Sequence, residues 1–115
     1  MTATIWHNPD CGTSRKALAA LREAGEDVTV IPYLEAGWER DELTKLIADA
    51  GLRPVEALRI KGTDAVERGL TAASDEHILD AMVAEPRLVE RPFVRTSKGT
   101  ALCRPLDRLD ALLQA

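Results

Sequence analysis

Apolar positions change period several times along this chain, and each change marks an element. Thr4-Ile5-Trp6 is a short β-prone run ending at His7-Asn8-Pro9-Asp10, a turn signal. From Thr13 the spacing becomes helical: Ala17, Leu18, Leu21 and Ala24 recur at three- and four-residue steps until Gly25 stops the helix. Val28-Thr29-Val30-Ile31 is a continuous β-branched run of the kind that fills a buried parallel strand. Strand, loop, helix of about twelve residues and second strand together make a right-handed βαβ unit.

After Tyr33-Leu34-Glu35 and a polar loop containing Gly37, the pattern predicts a second helix from about Arg40. Leu43, Leu46, Ile47 and Ala50 lie on its inner face, and Gly51 terminates it. Short helical pieces are expected at 54–58, opened by Pro54, and at 64–68, with Gly62 and Gly69 as punctuation. Ser74 is the N-cap of a further helix, with Asp75 and Glu76 in the first turn, where the dipole favours negative charge. Ile78, Leu79, Met82 and Val83 form its buried face, and Pro86 closes it. The last third predicts a strand at 92–96, a turn at Ser97-Lys98-Gly99 and a returning strand at 100–103. A final helix then carries Leu106, Leu109, Leu112 and Leu113. The order βαβ, helical insertion, ββα implies an α/β domain around a four-stranded mixed sheet.

With 115 residues, 45% apolar and 30% charged, the chain fits one globular domain spanning 1–115 that builds its core without metal or disulfide staples. Its apolar runs are too short to cross a membrane. The N-terminal residues lack the basic and apolar regions of a signal peptide, so a cytoplasmic location is expected.

The net charge of −4 conceals an asymmetry. Arg87, Arg91, Arg95, Lys98, Arg104 and Arg108 crowd the segment 87–108, against only Glu90 and Asp107. An acidic protein with one local concentration of arginine is poorly suited to gripping nucleic acid by counterion release. A small anion suits it better, because 11 of the 15 basic residues are Arg, whose planar fork matches oxyanions. Cys11 and Cys103 with His7 and His77 make no metal-ligand spacing, and in an unexported chain both thiols should stay reduced.

Cys11 is the candidate nucleophile. It follows a strand and precedes a helix, so unpaired backbone N–H groups and the positive helix end face it, which lowers a thiol pKa. Ser14 can offer its hydroxyl to the sulfur, Arg15 adds charge in the same turn, and His7 is close in sequence. Cys11-Gly12-Thr13-Ser14 has the frame of a C-x-x-C redox motif with oxygen replacing the second sulfur, so no disulfide can close within it. Regeneration then requires an outside thiol or the distant Cys103, which reads as a buried structural residue. Arg59, Arg91 and Arg104 stand at element edges, and the prolines after Arg91 and Arg104 restrict the backbone that aims them. A cis bond is conceivable at Arg91-Pro92.

These residues resemble a known family. His7-Asn8-Pro9-x-Cys11-Gly12-Thr13-Ser14-Arg15, Tyr33-Leu34-Glu35, Asp41-Glu42-Leu43, Leu58-Arg59, Glu90-Arg91-Pro92 and Leu102-Cys103-Arg104-Pro105 are similar to motifs of the glutaredoxin-coupled arsenate reductases. The resemblance implies a thioredoxin-like fold and reduction of arsenate to arsenite, as in arsenic resistance. It places the nucleophile on Cys11, oxyanion binding on Arg59, Arg91 and Arg104, and supporting roles on His7, Ser14, Gly12 and Thr13. It implies no bound cofactor or metal, but glutathione or another small thiol as reductant and glutaredoxin as partner. Two alternatives share the fold: a related thiol oxidoreductase acting on another substrate, and an Spx-type regulator that binds RNA polymerase. Arg95 occupies a strand position expected to be apolar, and the chain ends sooner than some relatives do.

Overall fold

The computed structural model describes residues 2–113; Met1, Gln114 and Ala115, which the expected 1–115 domain includes, lie outside the described residues. The chain divides into two compact units, one of residues 2–36 and 91–113, the other of residues 37–90.

The first unit is built on a sheet of order β2-β1-β3-β4, with β1 at Thr2–Trp6, β2 at Asp27–Ile31, β3 at Phe93–Thr96 and β4 at Gly99–Leu102. β1 pairs in parallel with β2, with Ile5 opposite Val30. It pairs antiparallel with β3, where Ile5 faces Val94, and β3 continues antiparallel into β4. This is the mixed sheet expected of the thioredoxin-like fold. Helix α1, Gly12–Glu23, forms the crossover from β1 to β2 and buries Ser14, Ala17 and Leu21. It stops where Gly25 takes φ +80°, a left-handed conformation that costs glycine no side-chain clash. Ala3, Ile5, Ala17, Leu21, Val94 and Leu109 are at most 2% exposed and form the core. Each large apolar side chain so buried contributes about 1.5–3 kcal/mol.

Three details depart from the expectations. β2 was expected to be a buried strand, but as the sheet edge it has Val28, Val30 and Ile31 only half-buried. The run Tyr33–Ala36 closes into a single helical turn, α2. The returning strand ends at Leu102, one residue short; Cys103 follows it, with its N–H donated to the Pro92 carbonyl at 2.8 Å. The chain then makes a 3₁₀ turn at Leu106–Leu109 and the short α5 at Asp110–Leu113. Arg95 is accommodated by its own chemistry: its guanidinium lies 5.5 Å from the Trp6 ring centroid, and Nε donates to Thr100 Oγ1 at 3.1 Å.

The second unit pairs α3, Arg40–Asp49, with α4, Asp75–Ala84. Glu39 caps α3 by accepting the Asp41 and Glu42 N–H groups, and Ser74 caps α4 by accepting that of His77. Leu43, Leu46 and Ile47 are buried on α3, and Ile78, Leu79 and Met82 on α4; Val83, expected with them, is half-buried. Arg40 joins the helices through Glu76 and Asp80. The piece expected at 54–58 is a 3₁₀ turn at Pro54–Ala57. The piece expected at 64–68 is a run of turns instead. Its Arg68 N–H reaches the Asp64 carbonyl at 3.0 Å, but left-handed Gly69 (φ +70°) prevents propagation. No described helix is long and apolar enough to cross a membrane.

Candidate active site

The loop between β1 and α1 is folded by its own polar groups. Asn8 is 7% exposed and makes three bonds: its carbonyl accepts the Cys11 N–H at 3.1 Å, its Oδ1 accepts the Asp10 N–H at 2.9 Å, and its N–H donates to Ser14 Oγ at 3.1 Å. Cys11 is thereby the N-cap of α1 in extended conformation, φ −95° and ψ 120°, and its carbonyl accepts the Arg15 N–H at 3.0 Å. Its side chain therefore sits at the helix end, where N–H groups lack intrahelical partners and the dipole is positive.

Arg91 and Arg104 come from the two ends of the β3–β4 hairpin, each followed by a cis proline. Arg104 Nη1 lies 3.8 Å from Cys11 Sγ and 3.4 Å from the Arg91 carbonyl. The Cys11 pKa reflects this contest. Burial pushes it up, but the Arg91 hydrogen bond and charge, the Ser14 backbone N–H and the Arg104 hydrogen bond outweigh burial and bring it from 9.0 to about 7. The thiolate is thereby within reach near neutrality. A thiolate flanked by two guanidinium groups at a helix N-terminus can attack an electrophile and hold an anion beside it.

Ser14 does not behave as its spacing suggested. Its hydroxyl, fully buried, meets His7 Nδ1 at 2.6 Å and accepts from Asn8, while its backbone N–H serves the sulfur. Burial, then the charges of Arg22 and Arg15, lower the pKa of His7, so at neutral pH it holds Ser14 as an uncharged imidazole. Gly12 is exposed and Thr13 half-buried in the first turn of α1.

Arg59 belongs to the second unit. A two-stranded bridge there pairs Leu58 with Val89 and sends the Arg59 N–H to the Leu88 carbonyl at 2.7 Å. Its guanidinium is engaged by Glu90 at 3.2 Å and by the Lys61 carbonyl at 3.0 Å. Glu90 as a half-buried partner of Arg59, and Asn8 as the brace of the loop, escaped sequence reasoning. Glu90 sits within a recognisable Glu-Arg-Pro run, and Asn-Pro signals a turn, but neither pattern names a partner.

The sequence profile of the ArsC family matches residues 6–112, nearly the whole chain. The chain belongs to the ArsC family. An arsenate reductase of Rhizobium meliloti (strain 1021) is 52% identical over 109 residues, covering 93% of this chain and 78% of that protein. The arsenate reductase of Escherichia coli (strain K12) is 48% identical over 107 residues, covering 90% of this chain and 75% of the relative. Among solved structures, arsenate reductase from Vibrio cholerae superposes with a TM-score of 0.89 at 34% identity, covering 97% of this chain and 98% of that one. The ArsC-family sheet and its crossover helix are what bring Cys11, Ser14, Arg91 and Arg104 together here.

Proposed function

We propose that this ArsC-family protein reduces arsenate to arsenite, with Cys11 as the nucleophile. The observation that carries it is Arg104 on the Cys11 sulfur at the cap of α1. A guanidinium on the sulfur supports a nucleophile and an anion-binding group acting at one point. Cys11 attacks arsenic(V), a S–As bond forms, and one arsenate oxygen leaves as water after taking up protons. Arg91, Arg104 and the helix N-terminus hold the remaining oxygens, each charged hydrogen bond being worth about 1.5–3 kcal/mol. Arg59 enters this reading through its motif alone.

The electrons come from thiols. A glutathione thiolate attacks Cys11 Sγ; the S–As bond breaks with its pair retained by arsenic, which departs as arsenite at the arsenic(III) level. The glutaredoxin thiolate then attacks the glutathione sulfur of the resulting Cys11–glutathione disulfide: a glutaredoxin–glutathione disulfide forms, the Cys11 thiolate leaves restored, and a second glutathione frees glutaredoxin as glutathione disulfide. No second sulfur in the Cys11–Ser14 motif can do this, and Cys103 is fully buried with its thiol pushed up to about 12 by burial. The reaction belongs in the cytoplasm, where small thiols are kept reduced. The test is arsenate-dependent NADPH oxidation with glutathione, glutathione reductase and glutaredoxin. Oxidation that needs both arsenate and protein supports the reading, and its absence ends it.

A further inference from the structure

Arg15 is an arginine for which oxyanion binding supplies no use. It lies on the first turn of α1, exposed to solvent, and among the described residues it has no acidic partner. An exposed arginine of this kind ordinarily sweeps through many rotamers. This one is anchored: Nη1 donates to the Pro9 carbonyl at 2.8 Å, across the loop that carries Cys11. Its Nη2 lies 3.7 Å from where a Gly12 Cβ would stand, so the guanidinium is held alongside the residue next to the nucleophile. Gly12 has no left-handed φ and no crowded Cβ position, so neither strain nor packing requires glycine there. The missing side chain leaves the approach beside the guanidinium open. With Nη1 committed to Pro9, the Nε and Nη2 edge is the fork left to receive a ligand, and a planar carboxylate matches it.

We propose that Arg15 is the docking group for a carboxylate of the small thiol that exchanges with Cys11, giving the site its preference for an anionic thiol such as glutathione. The proposal rests on the reading of Cys11 as the point of thiol exchange. Arg91 and Arg104 remain with the sulfur and the oxyanion, and the Arg15 guanidinium, alongside Gly12, is left for the reductant. Glutathione carries two carboxylates; capturing one orients its thiol and raises its effective concentration at Sγ.

Thiol exchange in reverse gives a readout that needs no arsenate. The Cys11 thiolate attacks glutathione disulfide, the S–S bond breaks, Cys11 acquires a glutathionyl group and one glutathione thiolate leaves. The rate, followed by intact mass with the modified peptide identified, is compared with that for uncharged hydroxyethyl disulfide. Arg15→Gln is expected to lower the ratio of the two rates about tenfold, the scale of one lost charged hydrogen bond. Arg15→Lys restores part of it, and Lys16→Gln, which removes the same charge one residue along, leaves the ratio unmoved. An unchanged ratio in Arg15→Gln, including an equal fall in both rates, overturns the proposal, because Arg15 then does no more than brace the loop. A matching loss in Lys16→Gln overturns it too, because a diffuse field then suffices. Failure of arsenate turnover in the wild type would remove the arsenate reading and leave this ratio to stand or fall separately.

Discussion

The two cysteines of this protein are both buried, Cys11 at 6% exposed and Cys103 at 0%, yet their thiols are driven in opposite directions, to about 7 and about 12. Loss of water opposes ionisation at both. What differs is the population of donors. Around Cys11 stand two guanidinium groups and the Ser14 N–H. Cys103 meets the Ala101 carbonyl at 3.9 Å, an acceptor that favours the protonated thiol, and the charge of Arg108 recovers little. Burial alone makes an inert sulfur; burial with aimed donors makes a nucleophile.

The widest separation should appear in alkylation by iodoacetamide. With the Cys11 thiol brought down to about 7 and that of Cys103 pushed up to about 12, thiolate near neutrality belongs to Cys11, so peptide mapping should find label on Cys11 alone. The Cys11 rate should climb as pH rises through about 7 and level off above it, because only the deprotonated form reacts. Equal labelling would erase the contrast. Next in size, Cys11→Ser should lower arsenate turnover by at least about 10³-fold, since a serine hydroxyl is not ionised near neutrality. A variant that kept most of its activity would move the nucleophile elsewhere.

The donors can then be subtracted singly. Arg91→Gln should move the Cys11 alkylation midpoint upward, and by more than Arg104→Gln does, because Arg91 acts through both a hydrogen bond and its charge. Arg104→Lys keeps the charge and loses the fork; about a tenfold fall in kcat/KM for arsenate is expected, against little change for an exposed Arg→Lys elsewhere. The smallest effect belongs to Cys103→Ala, with turnover retained and stability reduced by about 1 kcal/mol, measured by urea denaturation. Lost turnover in a folded Cys103→Ala variant would instead assign that sulfur a redox role.

Much of this was legible locally. The change from a β-prone run to helical spacing at Thr13, Ser74 before its helix and the Ser-Lys-Gly turn each depend on neighbours a few residues away, and each formed as the pattern predicts. Residues 64–68 show the limit: a helical composition closed only one such turn, because nothing nearby extends it before Gly69. Val28–Ile31 shows another. Its residues specify a strand, but whether a strand is central or at the edge depends on how many neighbours the rest of the chain supplies.

The amino-acid order by itself determined that Cys11 caps a helix, that Arg91 and Arg104 precede prolines at strand ends, and that the Cys11–Ser14 motif has one sulfur. Only tertiary structure decided that Arg104 reaches that sulfur, that the Ser14 hydroxyl turns to His7, that Arg59 is held by Glu90 and that Arg95 rests on Trp6. The reason is the range of the forces. Capping and turn preferences are settled within a few residues by backbone geometry. A hydrogen bond between residues 11 and 104 exists only after a sheet register has brought 93 positions of chain back to the same point.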